Sequence, residues 1–450
     1  MTDQVVSTHG RDPASASQDP VRRKLESSAA LTLLLLSIIY GVQYLDQILV
    51  GLFAQAIKTD FKLTDTEVGL LTGVAFTLFY AVLGFPLARL ADRWNRKYLI
   101  VVSVALFSAA TLACGLAAGF AALFIARICV AVGEAGTMPA AVSILADRFT
   151  GRGRRMALAL HSSGGFLGTA IGLLLVGLWT GALTWRGVFI GAGGAGLLLA
   201  VALSVGLRNP DRQTPLREPS RLFDDARAMA SNTCYLLMAA GLGVGSIASA
   251  AAINWSPAFL ARSHGLPQRQ TILFMACAWG LGATSGSVAF GFLTTWLQRR
   301  GGRWPLMAVA LPALIYPVAF CLAFAAPSTS ASMIGIAAGL FLMGGVRGPV
   351  FATVQDVIPP HLRATAAALL MFSMYAIGVT LGPLLTGVAS DALAPQFGRE
   401  SLRYGLFVVV LSTGILASLL FATAGMLLSS EVNAEDRAAS APAHLPERSL

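Results

Sequence analysis

The sequence contains few charged residues and few cysteines. Only 12% of its 450 residues are Asp, Glu, Lys or Arg, about half the fraction found in a soluble domain. The five cysteines fall inside apolar segments without metal-ligand spacing, so we interpret them as buried apolar residues and predict no metal site. No phosphate-binding glycine loop follows a strand, which argues against direct ATP drive. The sequence therefore predicts neither an enzyme nor a cofactor.

Long apolar segments make up most of the chain, and 56% of the residues are hydrophobic. A membrane-spanning helix needs about 20 mostly apolar residues, and it satisfies its own backbone polar groups in lipid. The sequence therefore predicts an all-α membrane protein. We predict twelve transmembrane helices, at residues 29–53, 67–90, 97–118, 121–146, 156–181, 187–207, 232–252, 271–296, 304–325, 329–357, 364–388 and 403–428.

The predicted helices fall into two similar halves. The segment GFPLARLADRWNRK, which ends the second helix, has a counterpart, GSVAFGFLTTWLQRR, at the end of the eighth. Where the fourth and the tenth helices end, Asp147 and Asp356 are each followed within eight residues by arginine. Such matches indicate a duplicated unit, as in transporters with sites between repeats. We predict two pseudo-symmetric six-helix bundles with these boundaries: N-terminal tail 1–28, first bundle 29–207, linker 208–231, second bundle 232–428 and C-terminal tail 429–450.

The net charge of +10 is spread over short clusters between the apolar segments. This distribution favours loops that contact anionic lipid rather than a surface that binds nucleic acid. Of the 32 Lys and Arg residues, 23 fall on the tails and even-numbered connections and 7 on the odd-numbered ones. We predict a monomeric integral protein of a bacterial inner membrane, with both termini in the cytoplasm.

A basic loop signature follows the second predicted helix. The segment LADRWNRK resembles the Gly-x-x-x-Asp-Arg-x-Gly-Arg-Arg/Lys signature of the major facilitator superfamily, although Asn95 replaces its second glycine. Four residues match it: Asp92, Arg93, Arg96 and Lys97. The resemblance implies a cytoplasmic latch, in which the Asp accepts hydrogen bonds from a helix N-terminus and the arginines bridge to acids of the other half. The alternative is a positively charged loop without a latch.

Three longer segments resemble the Spinster-like branch of this superfamily. They are ADRWNRKYLI, ARICVAVGEA and GPVFATVQDVIPPHLRATAAALL, beginning at Ala91, Ala126 and Gly348. The resemblance implies the major facilitator fold and, because members of the branch are linked to export of lysolipids and sphingoid phosphates, an amphipathic substrate. The branch usually has Asp-Arg in its first helix, whereas this chain has Asp46-Gln47. The role of that arginine is therefore not transferable.

Three charged residues lie inside the predicted first and fourth helices, where each costs several kcal/mol unless paired or hydrated. Arg127 and Glu134 are seven residues apart, so they share a helix face about 10 Å apart. Residue counts from the membrane surface put Asp46 level with Arg127, which predicts an ion pair. Glu134 lies nearer the midplane, where a desolvated carboxylate takes up a proton readily. We hypothesise that Glu134, with Asp46, couples transport to protons, while Arg127 exchanges carboxylate partners or meets an anionic headgroup. The alternative is a static ion-pair network.

Two further residues inside predicted helices have open interpretations. Arg347 on the tenth helix would bind a phosphate or carboxylate of the substrate, or else would snorkel or pair with a loop acid. The adjacent Gly348–Pro349 can break that helix. His161 on the fifth helix is either a proton relay or, as we favour, an interfacial residue.

The favoured function is a Spinster-like secondary active transporter that works by alternating access, is coupled to protons and moves a lysolipid or another amphipathic anion. An apolar cavity would hold the tail, and Arg127 or Arg347 the headgroup. One alternative is a major facilitator porter for a soluble organic anion or a drug. Another is a membrane receptor or scaffold without transport. The expected partners are the substrate, protons and the lipid bilayer.

Overall fold

The computed structural model describes residues 20–179, 184–207, 227, 229–298, 304–359 and 362–440, and these residues form helices joined by short connections. A short surface helix, Ala54–Phe61, lies between the first two long helices. The predicted tail and linker residues 1–19, 208–226 and 441–450 lie outside the described residues. The long helices in the described chain are α1 Pro20–Leu52, α2 65–93, α3 Arg96–Leu116, α4 Phe120–Arg148, α5 Gly151–Trp179, α6 Trp185–Gly206, α7 Thr233–His264, α8 268–298, α9 Trp304–Ala325, α10 Thr329–Val357, α11 363–397 and α12 Ser401–Ser440.

These helices confirm the predicted fold class of twelve membrane helices in two bundles. In the described part of the chain, ten helical segments are long and apolar enough to cross a membrane. One of them, 365–427, contains both α11 and α12, and α9 contributes the shorter apolar stretch Leu311–Ala325. α1–α6 form the first half and α7–α12 the second.

Side-chain caps begin several of the long helices. Thr64 and Glu67 form a reciprocal capping box at the start of α2, while Asn232 caps α7 and Ser328 caps α10. Asn95 accepts hydrogen bonds from two backbone N–H groups of the first turn of α3. The asparagine that replaces the second glycine of the loop signature thus satisfies helix donors that would otherwise lack a partner.

Small residues allow close helix contacts within each half. α1 crosses α5 at Gly41 and Gly168, where a Cβ on Gly168 would lie 2.5 Å from the Gly41 Cα. In the second half, Gly286 of α8 lies against the carbonyl oxygen of Phe341 on α10. Close approach of this kind is the usual means of packing membrane helices. Gly168 on α5 thus serves close helix packing.

The two halves meet along α2 and α11, α5 and α8, and α1 and α7. We call the side on which α1 begins the terminal face, and the side on which α1 ends and α2 begins the distal face. Gly69 of α2 packs against the backbone of Pro383 on α11. These contacts position the cavity described below between the halves.

α10 continues through the Gly348–Pro349 pair. The helix runs without interruption over Thr329–Val357, so the predicted break is wrong. A proline removes one backbone hydrogen bond, but neighbouring helices, local adjustment and Ser or Thr side chains compensate in membrane helices.

Candidate functional site

A central cavity of about 200 Å³ lies between the two halves. Residues of α1, α2 and α7–α12 form its walls, which are mostly apolar. A concave apolar site with a few polar groups is typical of small-molecule pockets. Its larger polar side chains are Tyr44, Gln47, Asn254, Tyr316, Arg347 and Tyr375.

Three helices that line this cavity contain π-helical stretches. They are Leu70–Leu78 in α2, Ala278–Ala283 in α8 and Ser373–Val379 in α11. Such stretches are rare and frequently occur at functional sites. Each contributes wall residues, among them Thr72, Phe76, Trp279, Ala283, Tyr375 and Val379.

The predicted pair of Asp46 and Arg127 is present. Arg127 Nη1 lies 2.8 Å from Asp46 Oδ2, and both side chains are almost fully buried. Thr111 donates a hydrogen bond to the other carboxylate oxygen at 2.7 Å, and the guanidinium lies 4.9 Å from the ring centre of Phe76. Nε and Nη2 of Arg127 have no hydrogen-bond partner among the described residues. The pair therefore leaves Arg127 with donors available for a second acceptor.

Glu134 is completely buried, about two helical turns from Arg127 along α4. Gln47 Nε2 donates to Glu134 Oε2 at 2.8 Å, and Gln47 also lines the central cavity. Glu134 Oε1 has no partner among the described residues. A neutral amide, rather than the arginine usual at this position in Spinster-like sequences, thus joins the carboxylate to the cavity. A buried carboxylate with an uncharged partner is well placed to bind a proton.

Arg347 lines the cavity from α10 and its side chain is exposed to that space. It forms a hydrogen bond with Tyr44 of the opposite half, and Tyr375 lines the same cavity. Phenol groups can accept from a guanidinium without neutralising it. Arg347 is thus a cation between two halves, held by uncharged partners.

The basic loop after α2 belongs to the first half. Arg96 is buried and pairs with Asp147 near the end of α4, because α3 begins and α4 ends on the same face. The expectation that this arginine bridges the two halves is therefore wrong. Arg93 is exposed and Lys97 is half-exposed, whereas the side chain of Asp92 lies outside the described part of the chain.

Five residues at the distal end of the cavity join the two halves, and we call them the distal cluster: Lys58, Asp65, Arg262, Ser390 and Asp391. The carboxylate of Asp65, 3% exposed, is at its centre. It accepts two hydrogen bonds from Arg262 at 2.6 and 2.7 Å. Lys58 and Ser390 each donate to it at 2.6 Å. Arg262 and Ser390 belong to the second half, so this carboxylate links the bundles.

Asp391 makes the same connection in the opposite direction. Its carboxylate accepts from the backbone N–H groups of Asp65 at 3.0 Å and Thr66 at 2.7 Å, and from the Thr66 hydroxyl at 2.6 Å. A residue of α11 thus caps the N-terminus of α2, where backbone donors and the helix dipole favour an anion. Nearby, Gln268 donates to the carbonyl of Leu52 at 2.7 Å.

Sequence reasoning missed the distal cluster. Its charged members lie in the predicted connections between helices, where a charge usually contacts water, and Arg262 therefore counted only toward the charge asymmetry. Ser390 and Asp391 follow the predicted eleventh helix, and nothing in the sequence suggested a contact for them. In the described residues, no group of three or more His, Cys, Asp or Glu could hold a metal ion.

Comparison with known proteins agrees with this architecture. An MFS-type efflux pump of Mycolicibacterium smegmatis is 28% identical over 401 residues, which is 86% of this chain and 90% of the pump. The sphingosine-1-phosphate transporter SPNS2 of Xenopus tropicalis is 27% identical over 397 residues, 82% of this chain and 75% of that protein. The crystal structure of a bacterial homolog of the human lysosomal transporter Spinster, in an inward-facing, unoccupied conformation, is 25% identical. It matches with a TM-score of 0.81 over 90% of this chain and 98% of its own.

The family model described as Major Facilitator Superfamily matches residues 36–383. The Spinster homologs among both sequences and structures confirm the branch that the motifs indicated. The known relatives are transporters, so the chain is an integral membrane transporter and not an enzyme. The protein belongs to the Major Facilitator Superfamily.

Proposed function

We propose that this transporter works by alternating access and uses protons to move an amphipathic anion. One observation carries the proposal: Arg347 is exposed to a mostly apolar cavity between the halves. A cation inside the membrane is costly unless it meets a counter-charge or water. The apolar walls would hold an alkyl chain. A single-chain lipid with a phosphate or carboxylate headgroup satisfies both requirements.

The distal cluster supports alternating access. It joins α2 of one half to α7 and α11 of the other through a single buried carboxylate and a helix cap. Passage of substrate to the distal face requires these contacts to separate. From the distribution of basic residues, we place the terminal face in the cytoplasm of a bacterium.

Glu134 is the proposed proton-coupling site, with Asp46 as the neighbouring acid. The proposal is supported by complete burial, a neutral hydrogen-bond partner and a connection to the cavity through Gln47. Arg127 holds Asp46 through Nη1, while its Nε and Nη2 have no partner among the described residues. A change in the charge of Glu134 would therefore alter the field at an arginine that can accept a second partner.

Transport by the Glu134→Gln variant in proteoliposomes tests this coupling. The assay follows a lysophosphatidate with a fluorescent acyl chain across an imposed pH gradient. We expect the variant to lose the dependence of rate on pH, because glutamine keeps the shape of the side chain but binds no proton. Glu400→Gln is the matched control, since that residue pairs with Arg403 outside the cavity. Full pH-dependent transport by Glu134→Gln would exclude the proton role.

The headgroup site is tested at Arg347. We expect Arg347→Gln to weaken binding of lysophosphatidate by about tenfold or more, through loss of charge-assisted hydrogen bonds. Arg347→Lys keeps the charge and should retain part of the affinity. Equal affinity for all three proteins would contradict a role in headgroup binding.

The efflux pump among the relatives favours a second candidate, a porter for a drug or a soluble organic anion. The two candidates differ in what the cavity accepts. If single-chain lysolipids are neither transported nor compete with a transported drug or organic anion, the second candidate gains. Absence of flux for every class, together with no conformational response to pH, would instead indicate a receptor or scaffold.

A further inference from the structure

His161 on α5 is buried among α1, α3 and α4 rather than at the membrane surface. Its side chain is 1% exposed, so the favoured interfacial interpretation is wrong. The imidazole stacks on the ring of Tyr40, with centroids 5.0 Å apart and planes at 28°. Neither ring nitrogen has a hydrogen-bond partner among the described residues. Because an unsatisfied buried polar group costs about 1–3 kcal/mol, such a residue requires a physical reason.

A small cavity of about 10 Å³ adjoins the imidazole. This volume is close to the minimum, on the order of 10–15 Å³, that holds one water molecule. A buried water also needs two to four polar partners, and four polar side chains line the space: Tyr40, Gln43, Thr137 and His161. The site therefore suits a single bridging water next to the imidazole.

Polar side chains on α1 connect this site to Glu134. Gln47 donates to the Glu134 carboxylate, and Gln43, one turn earlier, donates to both the Glu134 carbonyl and the Thr137 hydroxyl. Tyr40, nearly one turn further toward the terminal face, stacks on His161. Residues 40 to 47 span about 10 Å along the helix. A polar stripe of this length inside a membrane helix is costly and points to a functional path.

The position of His161 along α5 fits such a path. It lies ten residues from Gly151, where α5 begins at the terminal face, or about 15 Å. Glu134 lies fourteen residues from Arg148, where α4 ends at that face, or about 21 Å. The imidazole is thus about one helical turn closer to the terminal face than the carboxylate is.

We propose that His161 is an intermediate proton site between Glu134 and the terminal face, reached through a water molecule in the cavity beside Gln43 and Thr137. This inference rests on the proposed proton coupling at Glu134. In the release direction, the carboxylic acid gives its proton to water. The water passes a proton to one imidazole nitrogen, and the imidazolium gives the proton on its other nitrogen to a second water molecule on its terminal side. The carboxylate regains its negative charge, and the imidazole returns to neutral.

The groups facing His161 are otherwise uncharged. Tyr40 on α1 is the one titratable side chain that shares its cavity in the described structure. α3 contributes Ile100, and α4 contributes Thr137, Met138 and Ala141. No carboxylate lines this space in the described residues, so a proton arriving at the imidazole is not fixed there by a permanent ion pair.

The test follows protonation of Glu134 directly and needs no substrate. Infrared difference spectra of the reconstituted protein, recorded after a rapid pH change on the terminal side, report the carboxylic acid C=O band that Glu134→Gln removes. We expect His161→Gln to slow the appearance of this band by about tenfold or more, as for loss of a positioned proton-transfer group. His264→Gln is the matched control, since that histidine bonds Ser332 near the distal face.

An incorrect coupling site and an incorrect relay give different results in this experiment. If no carboxylic acid band depends on Glu134, the proposed coupling site is wrong and the relay falls with it. If the band is present but His161→Gln protonates at the unaltered rate, the relay alone is overturned. Thr137→Val, which removes one proposed water partner without changing side-chain shape, should also slow the band and serves if His161→Gln does not fold.

Discussion

Replacement of Arg262 should open the distal end of the transporter. Arg262 donates two hydrogen bonds to Asp65 across the interface between halves and a third to Gln55. The side chains of Arg262 and Asp65 are 13% and 3% exposed, so solvent screens this pair little. Arg262→Gln removes the charge but keeps a polar side chain. The variant therefore tests the ion pair between the halves with little change in packing.

The expected magnitude follows from these contacts. Two hydrogen bonds to a charged group contribute about 1.5–3 kcal/mol each. Lys58 and Ser390 still donate to Asp65 in the variant, so the carboxylate is not left unpaired. The glutamine amide can replace one of the two bonds from Arg262, so about 2–3 kcal/mol should be lost with the other. That corresponds to a roughly 30- to 150-fold shift toward distal-open states. An open population of about 1% would then rise to roughly 25–60%.

Electron–electron distance measurements between spin labels can detect this change. Labels at Thr59 and Arg399, both exposed on the distal face in different halves, should show a new, longer distance in Arg262→Gln when the native cysteines have been replaced. Arg186→Gln is the control, because Arg186 pairs with Asp60 inside the first half on the same face. The reasoning is refuted if Arg262→Gln gives the same distance distribution as Arg186→Gln.

Two further predictions concern stability, measured as the midpoint of thermal unfolding in detergent. Arg127→Met leaves the buried Asp46 without its cation and should destabilise the protein by about 3–5 kcal/mol; an unchanged midpoint would show that the pair contributes little. Gly286→Ala places a Cβ against the carbonyl of Phe341 and should cost about 1–3 kcal/mol. Gly191→Ala, which meets no atom within 4 Å, should be neutral or slightly stabilising, and equal effects of the two alanines would contradict the packing described.

The helices were predictable because a membrane helix must be long and apolar, and that signal is independent of tertiary contacts. The pairing of Asp46 with Arg127 was also predictable. Depth in a bilayer can be counted from a helix end, and a buried charge requires a partner at its own level. The structure adds the third member, Thr111, whose hydroxyl is indistinguishable in sequence from other helix hydroxyls.

The wrong and missing predictions concern contacts that depend on how the helices pack against one another. Asp65 and Arg262 lie about 200 residues apart at helix ends, where sequence cannot separate a solvated charge from one that joins two halves. His161 was misplaced because the rotation of α5 about its axis decides between lipid and core. The partner of Arg96 depends on which helices meet at the terminal face. A loop signature gives the residue types but not the helix that they contact.

Gln47 has a consequence for the electrical balance of the first half. The charges of Asp46 and Arg127 cancel. The net charge of Asp46, Arg127 and Glu134 is therefore zero when Glu134 carries a proton and −1 when it does not, because its partner Gln47 is uncharged. With an arginine at position 47, as in the usual Spinster-like pattern, the neutral form would be the one without the proton. A membrane potential acts on net charge with about 2.3 kcal/mol per charge per 100 mV. In this chain, therefore, the membrane potential would act on Asp46, Arg127 and Glu134 as a group after Glu134 has released its proton.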